Sequence, residues 1–363
     1  MLVAYVSGHG FGHATRTGEV LRVLRRMEPG LRLAVVTSGP EALYRRAIPG
    51  GFVFRSLECD VGVAQVDALV IDEALTAQRC RTFAARFGTL VGQEARWLMR
   101  VKARLVLGDV PPLAFAAAEA AGIPSVGLAN FSWDWIYRHL ASRQPSLEQV
   151  AEEAAAAYGR AALLLELPFA GELGAFRRRE AIPLVARRPR VTGHEARRRL
   201  GLGQRNTVLV SFGGIGMPGF GPQVLSRLPY QFVVSDGTGP LPNNVRRVDG
   251  RALEQADIGY ADLVAAADVV LTKPGYGIVS DAIGAGTRIL YTERGDFPEY
   301  PILVEGMRGY VPAAHVGNED VRTGRLGAAI EALLAHPLPD PPSLRGAQLA
   351  AERLRRLLRG TCR

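Results

Sequence analysis

Ser7-Gly8-His9-Gly10-Phe11-Gly12-His13-Ala14-Thr15-Arg16 is the segment around which the chain is organised. It follows the apolar run Leu2–Val6, which predicts a buried parallel strand, and apolar residues recur at helical spacing from Thr17 onward. Glycines between a strand and a helix let backbone N–H groups point at a ligand above the sheet edge, where the positive end of the helix favours an anion. The segment therefore predicts a ligand-binding turn with His9 and His13 at its mouth.

The glycine spacing only approximates the dinucleotide-binding fingerprint. A Rossmann dehydrogenase would carry an acidic residue at the end of its second strand, about 20 residues beyond the glycines. Here the second predicted strand, Leu31–Thr37, ends in Ser38-Gly39-Pro40, which offers no carboxylate to a ribose. The sequence thus argues against a nicotinamide enzyme, and the two histidines favour acid–base or polar contacts.

The length and the alternating pattern predict two α/β domains. A chain of 363 residues with a 48% hydrophobic fraction exceeds one ordinary domain. Short apolar strands alternate with helical stretches in both halves, which is typical of doubly wound parallel sheets. The pattern breaks around Ile182–Pro189, so we predict one domain over residues 1–190 and a second over 191–363.

The net charge of +9 comes almost entirely from arginine, since Lys102 and Lys273 are the only lysines. No aromatic-interleaved basic stretch accompanies the arginines, which argues against nucleic acid as a partner. A cationic face suits phosphorylated substrates or a peripheral contact with an anionic membrane.

The cysteines and the hydropathy pattern bear on the compartment. Cys59, Cys80 and Cys362 are scattered without metal-like spacing, so we expect reduced thiols and no metal site. No apolar run reaches the roughly 18 residues of a membrane-spanning helix. The sequence therefore predicts a cytoplasmic protein.

The second half repeats the design of the first. The predicted strand Thr207–Phe212 runs into Gly213-Gly214, and a later strand runs into the turn Thr272–Gly277. Ser280 and Asp281 lie in the first turns of the helix that follows, whose N–H groups and dipole suit a diphosphate. Asp281 either accepts from ribose hydroxyls or only complements the helix N-terminus. Ligands bind beyond the carboxyl ends of parallel strands, so facing domains would place both turns on one cleft.

Four motifs resemble the glycosyltransferase-like N-terminal region of the plant L-arabinokinase family: residues 8–16, 130–137, 212–214 and 273–281. More distantly, they resemble the family of the peptidoglycan GlcNAc-transferase and the monogalactosyldiacylglycerol synthases. The resemblance covers almost the whole chain. It implies the GT-B fold, in which two Rossmann-like, doubly wound domains face an interdomain cleft and a C-terminal helix, here predicted over Ser343–Leu358, crosses back to the first domain.

The resemblance implies that the second domain binds a nucleotide-sugar donor. Glycine turns would approach the diphosphate, Lys273 would pair with it, and backbone groups of Ile258 would hold the base. Asp281 replaces the longer Glu that contacts the ribose in related transferases. The predicted donor-binding residues are Gly213, Gly214, Ile258, Lys273, Gly275, Tyr276, Gly277, Ser280, Asp281, Asp296 and Glu299.

An inverting sugar transfer requires a base for the acceptor hydroxyl and positive dipoles for the leaving diphosphate. His13 matches the Gly-His of related transferases, and Asp109, at the end of a predicted strand, would orient it. Alternatively, Asp109 caps the helix that begins near Pro112, and His9 is the base or a phosphate contact.

The first domain would bind the acceptor. Aromatic faces pack against sugar rings, while amides and carboxylates form hydrogen bonds with hydroxyl groups. Two alternatives compete with this interpretation: packing of a tryptophan in the core, and a salt bridge of Arg16 within its helix. The predicted acceptor-binding residues are His9, Gly12, Arg16, Asn130, Trp133, Asp134 and Trp135.

The sequence thus predicts a metal-independent inverting glycosyltransferase that moves a sugar from a nucleotide diphosphate sugar, most simply a UDP-sugar, to a hydroxyl acceptor. The nucleotide sugar is a co-substrate, and we expect no separate cofactor. Two alternatives share the fold: a non-catalytic module that senses a nucleotide sugar, and a nucleotide-sugar 2-epimerase.

Overall fold

Two parallel sheets form the framework of the protein. The computed structural model describes residues 1–67, 69–213, 216–235, 239–340 and 342–360. In these residues the first sheet has seven strands, β1 Leu2–Val6, β2 Leu33–Thr37, β3 Val53–Ser56, β4 Leu105–Asp109, β5 Ser125–Ala129, β6 Leu163–Glu166 and β7 Arg179–Ala181, in the order β3-β2-β1-β4-β5-β6-β7. The second has six, β8 Thr207–Ser211, β9 Gln231–Val234, β10 Val245–Arg247, β11 Val269–Thr272, β12 Arg288–Tyr291 and β13 Ala313–His315, in the order β10-β9-β8-β11-β12-β13.

Helices connect the parallel strands and cover the sheets. In the first domain they are α1 Phe11–Met27, α2 Glu41–Ala47, α3 Glu73–Arg100, α4 Pro112–Ala120, α5 Trp133–Ala141 and α6 Leu147–Tyr158. In the second they are α7 Gly193–Leu200, α8 Gly250–Gln255, α9 Tyr260–Ala266, α10 Tyr276–Ala285, α11 Glu299–Met307, α12 Asn318–Thr323, α13 Gly327–Ala335 and α14 Gly346–Gly360. Within the described ranges, no helix is both long and apolar enough to cross a bilayer.

Local sequence explains where several elements begin and end. β1 and β4 are buried along their whole length because apolar residues occupy both faces of these central strands. The Thr192 side chain caps α7 by accepting from the Glu195 N–H, and Gly201 ends that helix in the left-handed conformation. Strand burial and helix capping therefore account for the bounds of these elements.

The strand order places a crevice in each domain. The first sheet reverses its order between β1 and β4, and the second reverses between β8 and β11. Chains leaving the carboxyl ends of such neighbours diverge to opposite faces, which opens a ligand site above the edge. The turn after β1 and Asp109 lie at the first crevice, and the turns after β8 and β11 lie at the second.

The last helix joins the domains on the side away from these turns. α14 packs against α1 of the first domain, and the Arg359 guanidinium lies 2.6 Å from the Glu28 carboxylate. A Cβ on Gly346 would lie 2.1 Å from the Pro183 carbonyl oxygen, so only glycine fits where α14 meets the interdomain segment. Some of the arginines on this helix thus pair with the first domain.

Candidate active site between the domains

The glycine-rich turns of the two domains touch each other. A Cβ on Gly277 would lie 3.0 Å from the Gly12 Cα, and a Cβ on Gly12 would lie 3.3 Å from the Gly277 nitrogen. Side chains at either position would hold the turns apart. Because Gly12 lies in the first turn of α1 and Gly277 in the first turn of α10, the positive ends of two helices converge at this point.

His13 forms a buried pair with Asp109. The His13 Nδ1 lies 2.8 Å from the Asp109 Oδ1, which β4 presents at its last residue. If Nδ1 carries the proton it donates to the carboxylate, and Nε2 is then free to accept a proton. The carboxylate does not cap α4, whose N-cap is Pro111 and has no side-chain cap bond. A carboxylate in this position can orient an imidazole whose other nitrogen accepts a proton.

Arg16 and Thr17 complete the shell of Asp109. The Arg16 Nε donates to both carboxylate oxygens, at 3.1 and 2.9 Å, and its Nη2 donates to Oδ1 at 2.5 Å. The Thr17 hydroxyl donates to Oδ2 at 2.6 Å. Burial alone would raise the pKa of Asp109, but the charges of Arg16 and His13 and their hydrogen bonds lower it to about 2. Asp109 is therefore ionised at any physiological pH.

A polar contact links this shell to the second domain. The Arg16 Nη1 donates to the Asn130 Oδ1 at 2.6 Å, and the Asn130 Nδ2 donates to the Glu299 Oε1 at 2.7 Å. The Arg294 Nη1 donates to the other Glu299 oxygen at 2.6 Å. Asn130 follows β5, and Glu299 is the first residue of α11. Two predicted substrate contacts, one on each side of the cleft, therefore bond to each other.

The aromatic cluster after β5 belongs mostly to the core. Trp133 is 0% exposed, its ring stacks on Tyr137 with centroids 5.7 Å apart, and its Nε1 donates to the Asp60 Oδ2 at 2.7 Å. The Trp135 ring covers Gly171, where a Cβ would lie 2.3 Å from the ring. The Asp134 carboxylate pairs with Arg138 on its own helix at 2.6 Å. These three side chains therefore contact residues of their own domain.

The Trp133 ring also lines a small cavity. The cavity measures about 40 Å³ and its other walls are mainly apolar, with Phe83 and Phe87 among them. That volume holds only a few water molecules. This cavity is too small for a sugar ring.

Asp60 is a residue of this site that the sequence analysis did not predict. The Ser7 hydroxyl donates to the Asp60 Oδ1 at 3.1 Å, next to the bond from Trp133. Burial raises the pKa of Asp60 to about 6, against the hydrogen bonds from Trp133 and Ser7. Asp60 lies four positions beyond the end of β3 and is followed by Gly62. It therefore lies at the same sheet edge as Asp109, and its position after a strand end could have predicted it.

His9 is packed rather than free. A Cβ on Gly62 would lie 2.8 Å from the His9 ring, and the ring meets Trp133 edge-on with centroids 5.5 Å apart. Burial lowers the pKa of His9 to about 3, and the positive charges of His13, Arg294 and Lys273 act in the same direction. His9 is therefore neutral at pH 7 and a weaker base than an ordinary imidazole.

The donor side of the cleft presents a lysine beside the β11 turn. Burial and the Arg294 guanidinium lower the pKa of Lys273 to about 8. Its ammonium group makes no hydrogen bond or ion pair with the residues that the structure describes. Gly213 adopts a φ of +77°, which favours glycine, whereas the predicted contact Gly214 lies outside the described residues. The Tyr276 ring lies under the Arg16 guanidinium, 5.0 Å from centroid to Cζ.

The predicted ribose contacts face the interdomain segment. The Arg187 Nε donates to the Asp281 Oδ1 at 3.1 Å, its Nη2 bonds to the other oxygen, and its guanidinium lies over the Tyr260 ring. The Ser280 hydroxyl donates to the Gly277 carbonyl at 2.9 Å. Ile258, the predicted base contact, is buried just before α9. The Asp281 carboxylate is thus already paired.

Asp296 lies close to the first domain. The His139 Nε2 is 2.9 Å from the Asp296 Oδ1, and an Arg143 nitrogen is 2.8 Å from Oδ2. Both partners lie on or just after α5. Asp296 therefore contributes to the domain contact at the rim of the cleft.

A segment of the first domain also crosses the cleft. Leu69, which lies in the segment between β3 and α3, packs in the apolar cluster of the second sheet with Phe212 and Met217. A Cβ on Gly295 would lie 2.3 Å from the Leu69 carbonyl oxygen. The sequence signal is weak, because the apolar residues around Leu69 show neither strand nor helix periodicity.

Comparisons with known proteins agree on the fold. The chain is 31% identical over 359 residues to L-arabinokinase of Arabidopsis thaliana, which covers 96% of this chain and 33% of that protein. It therefore spans about a third of the length of that relative. No protein-family model matches the chain.

Solved glycosyltransferases superimpose over the full length. UGT89C1 of Arabidopsis thaliana, complexed with quercetin, matches with a TM-score of 0.66 at 13% identity and covers 100% of this chain and 99% of its own. A UDP-glucosyltransferase from Polygonum tinctorium matches with a TM-score of 0.59 at 14% identity over 99% and 94% of the two chains. The predicted GT-B fold is confirmed. The more distant resemblance to the peptidoglycan and galactolipid enzymes stays a prediction.

Proposed function

We propose that this GT-B chain transfers a sugar from a nucleotide diphosphate sugar, in our view a UDP-sugar, to a hydroxyl acceptor with inversion at the anomeric carbon. The observation that carries the proposal is the contact between the two glycine-rich turns, with the His13–Asp109 pair on one side and Lys273 on the other. A structure of UGT89C1 with UDP, which matches this chain with a TM-score of 0.60, supports the choice of nucleotide.

His13 would act as the base. Its Nε2 takes the proton of the acceptor hydroxyl while that oxygen forms a bond to the anomeric carbon. Asp109 stabilises the imidazolium that results, because it is ionised and bonded to Nδ1. A single displacement of this kind inverts the anomeric configuration.

The second domain would stabilise the leaving group. As the bond from the anomeric carbon to the phosphate oxygen breaks, negative charge develops on the nucleoside diphosphate. We expect that charge to fall near the N–H groups at the start of α10 and the Lys273 ammonium. We propose that these positive groups serve in place of a metal ion.

Nucleotide release tests the proposed function. The chain is incubated with UDP-, GDP- and dTDP-sugars, with and without a panel of hydroxyl acceptors, and free nucleotide is measured. Acceptor-dependent release of UDP is the expected result. Tight binding of a nucleotide sugar without turnover would replace the proposal by the sensing module, and a new sugar nucleotide formed without an acceptor would replace it by the epimerase.

The affinity for UDP should fall with rising pH because Lys273 loses its proton. With a pKa of about 8 in the free protein, Lys273 is charged at pH 7 and largely neutral at pH 9, so the Kd should rise about tenfold between these values. Titration calorimetry over pH 7–9 measures the change.

The variant K273R provides the matched control because arginine keeps its charge over the whole range. The Kd of K273R should change little between pH 7 and 9, and K273M should bind UDP weakly at both pH values. A wild-type Kd that varies no more than that of K273R would show that Lys273 does not contact the diphosphate.

A further inference from the structure

The Asn130–Glu299 hydrogen bond is the central link of a continuous polar chain across the cleft. The chain runs from Asp109 through Arg16 and Asn130 to Glu299 and Arg294. Asn130 is 0% exposed, and Arg16 and Glu299 are each 3% exposed. Water therefore does not compete for these bonds, and each lost bond would leave a buried polar group unsatisfied.

The chemistry of the link fixes its direction. The Asn130 Oδ1 accepts from Arg16, so its Nδ2 is left to donate to the Glu299 Oε1. A carboxylate on one side and an amide donor on the other are required, and no other donor from the first domain bonds to Glu299 among the described residues. The bond forms only when the domains lie as close as they do here.

The link also connects groups that the reaction would use at the same moment. Arg16 binds both oxygens of Asp109, the carboxylate that orients His13. Glu299 follows the loop after β12 and holds Arg294, which is close enough to Lys273 to lower its pKa. A shift of one group by about 1 Å costs up to about a hundredfold in rate.

We propose that Asn130 and Glu299 are positioning residues whose mutual hydrogen bond, rather than contacts to substrate hydroxyls, holds the cleft closed with the base side and the donor side in register. The proposal rests on the proposed function for its effect on rate. The closure itself is a property of the chain without ligand.

An exchange of the two side-chain types tests the proposal. In the variant N130D two carboxylates face each other, so the ligand-free chain should open and its radius of gyration in small-angle scattering should increase. In the double variant N130D/E299Q the amide of the new glutamine donates to the new aspartate, while Arg16 and Arg294 keep acceptors. The double variant should return to the wild-type radius of gyration.

Kinetics supply the second readout. We expect N130D to lower kcat by up to about a hundredfold with UDP affinity within about twofold of wild type, and the double variant to recover most of that loss. If both side chains instead bind substrate hydroxyls, N130D will leave the scattering unchanged and the double variant will be worse than either single one. Either of those results overturns the proposal.

A buried aspartate carries a folding risk, so a second variant is needed. If N130D does not fold, E299A removes the acceptor of the bond without adding a charge, and the same opening is expected. A closed E299A chain would overturn the proposal. Because the scattering needs no turnover, an inactive wild-type chain would contradict the proposed function and leave this test intact.

Discussion

Replacement of His13 by glutamine should lower kcat for sugar transfer about a thousandfold, within the range of roughly 10² to 10⁴ that general acid–base catalysis contributes. Glutamine keeps a polar side chain next to Asp109 but cannot take a proton from the acceptor. Because the variant leaves the donor side of the cleft intact, its Kd for UDP should match that of wild type. Initial rates of UDP release and calorimetry measure the two quantities.

The exposed His194 on α7 offers a matched control for this variant. H194Q makes the same chemical change away from the cleft and should keep wild-type kcat. If H13Q retained more than about a tenth of the rate, another group would be the base. His9 would then be the first candidate, although its burial and lowered pKa argue against it.

Replacement of Asp109 by asparagine should affect stability as well as rate. The change removes the charge that pairs with the buried Arg16 and leaves the guanidinium without its counter-ion. Loss of one partner from a buried pair costs about 3–5 kcal/mol of unfolding free energy. The rate should also fall, because the asparagine cannot stabilise the His13 imidazolium. Denaturant unfolding and initial rates measure both effects.

The variant T17V separates the charge from the hydrogen bonds. It removes a neutral donor from the same carboxylate and should cost about 1 kcal/mol. A loss in D109N no larger than that in T17V would mean that the Arg16–Asp109 pair contributes little to folding. A D109N chain that folds and transfers sugar at the wild-type rate would remove Asp109 from the mechanism.

Central strands could be predicted from the sequence because burial on both faces leaves an unbroken apolar run. Leu2–Val6 has the bounds that the pattern predicted. The edge strands β7 and β13 could not be found in this way. β7 reads Arg-Glu-Ala and is exposed throughout, so it carries no apolar signal.

The His13–Asp109 pair was predictable for a related reason. Parallel strands end at one sheet edge, so polar residues directly after two buried strands meet there. The role of Trp133 was not predictable, because an aromatic residue after a strand suits a sugar platform and a core equally well. Only its neighbours, Tyr137 and Asp60, decide between the two.

Contacts between the domains are the features that the sequence predicts least well. Asn130 and Glu299 are 169 positions apart, and each was predicted to bind substrate from its own domain. Arg187 lies in the segment where the sequence pattern breaks, yet it pairs with Asp281 of the second domain. Local periodicity predicts each domain but contains no information on their relative placement.

The structure of the chain with UDP bound tests the central claim most directly. We expect the diphosphate to lie against the Gly275–Gly277 turn within hydrogen-bond distance of the Lys273 ammonium. The side of the diphosphate that faces away from this turn should face the His13 Nε2. A diphosphate bound away from the contact between the two glycine-rich turns, or on a surface that His13 does not face, would contradict sugar transfer in this cleft.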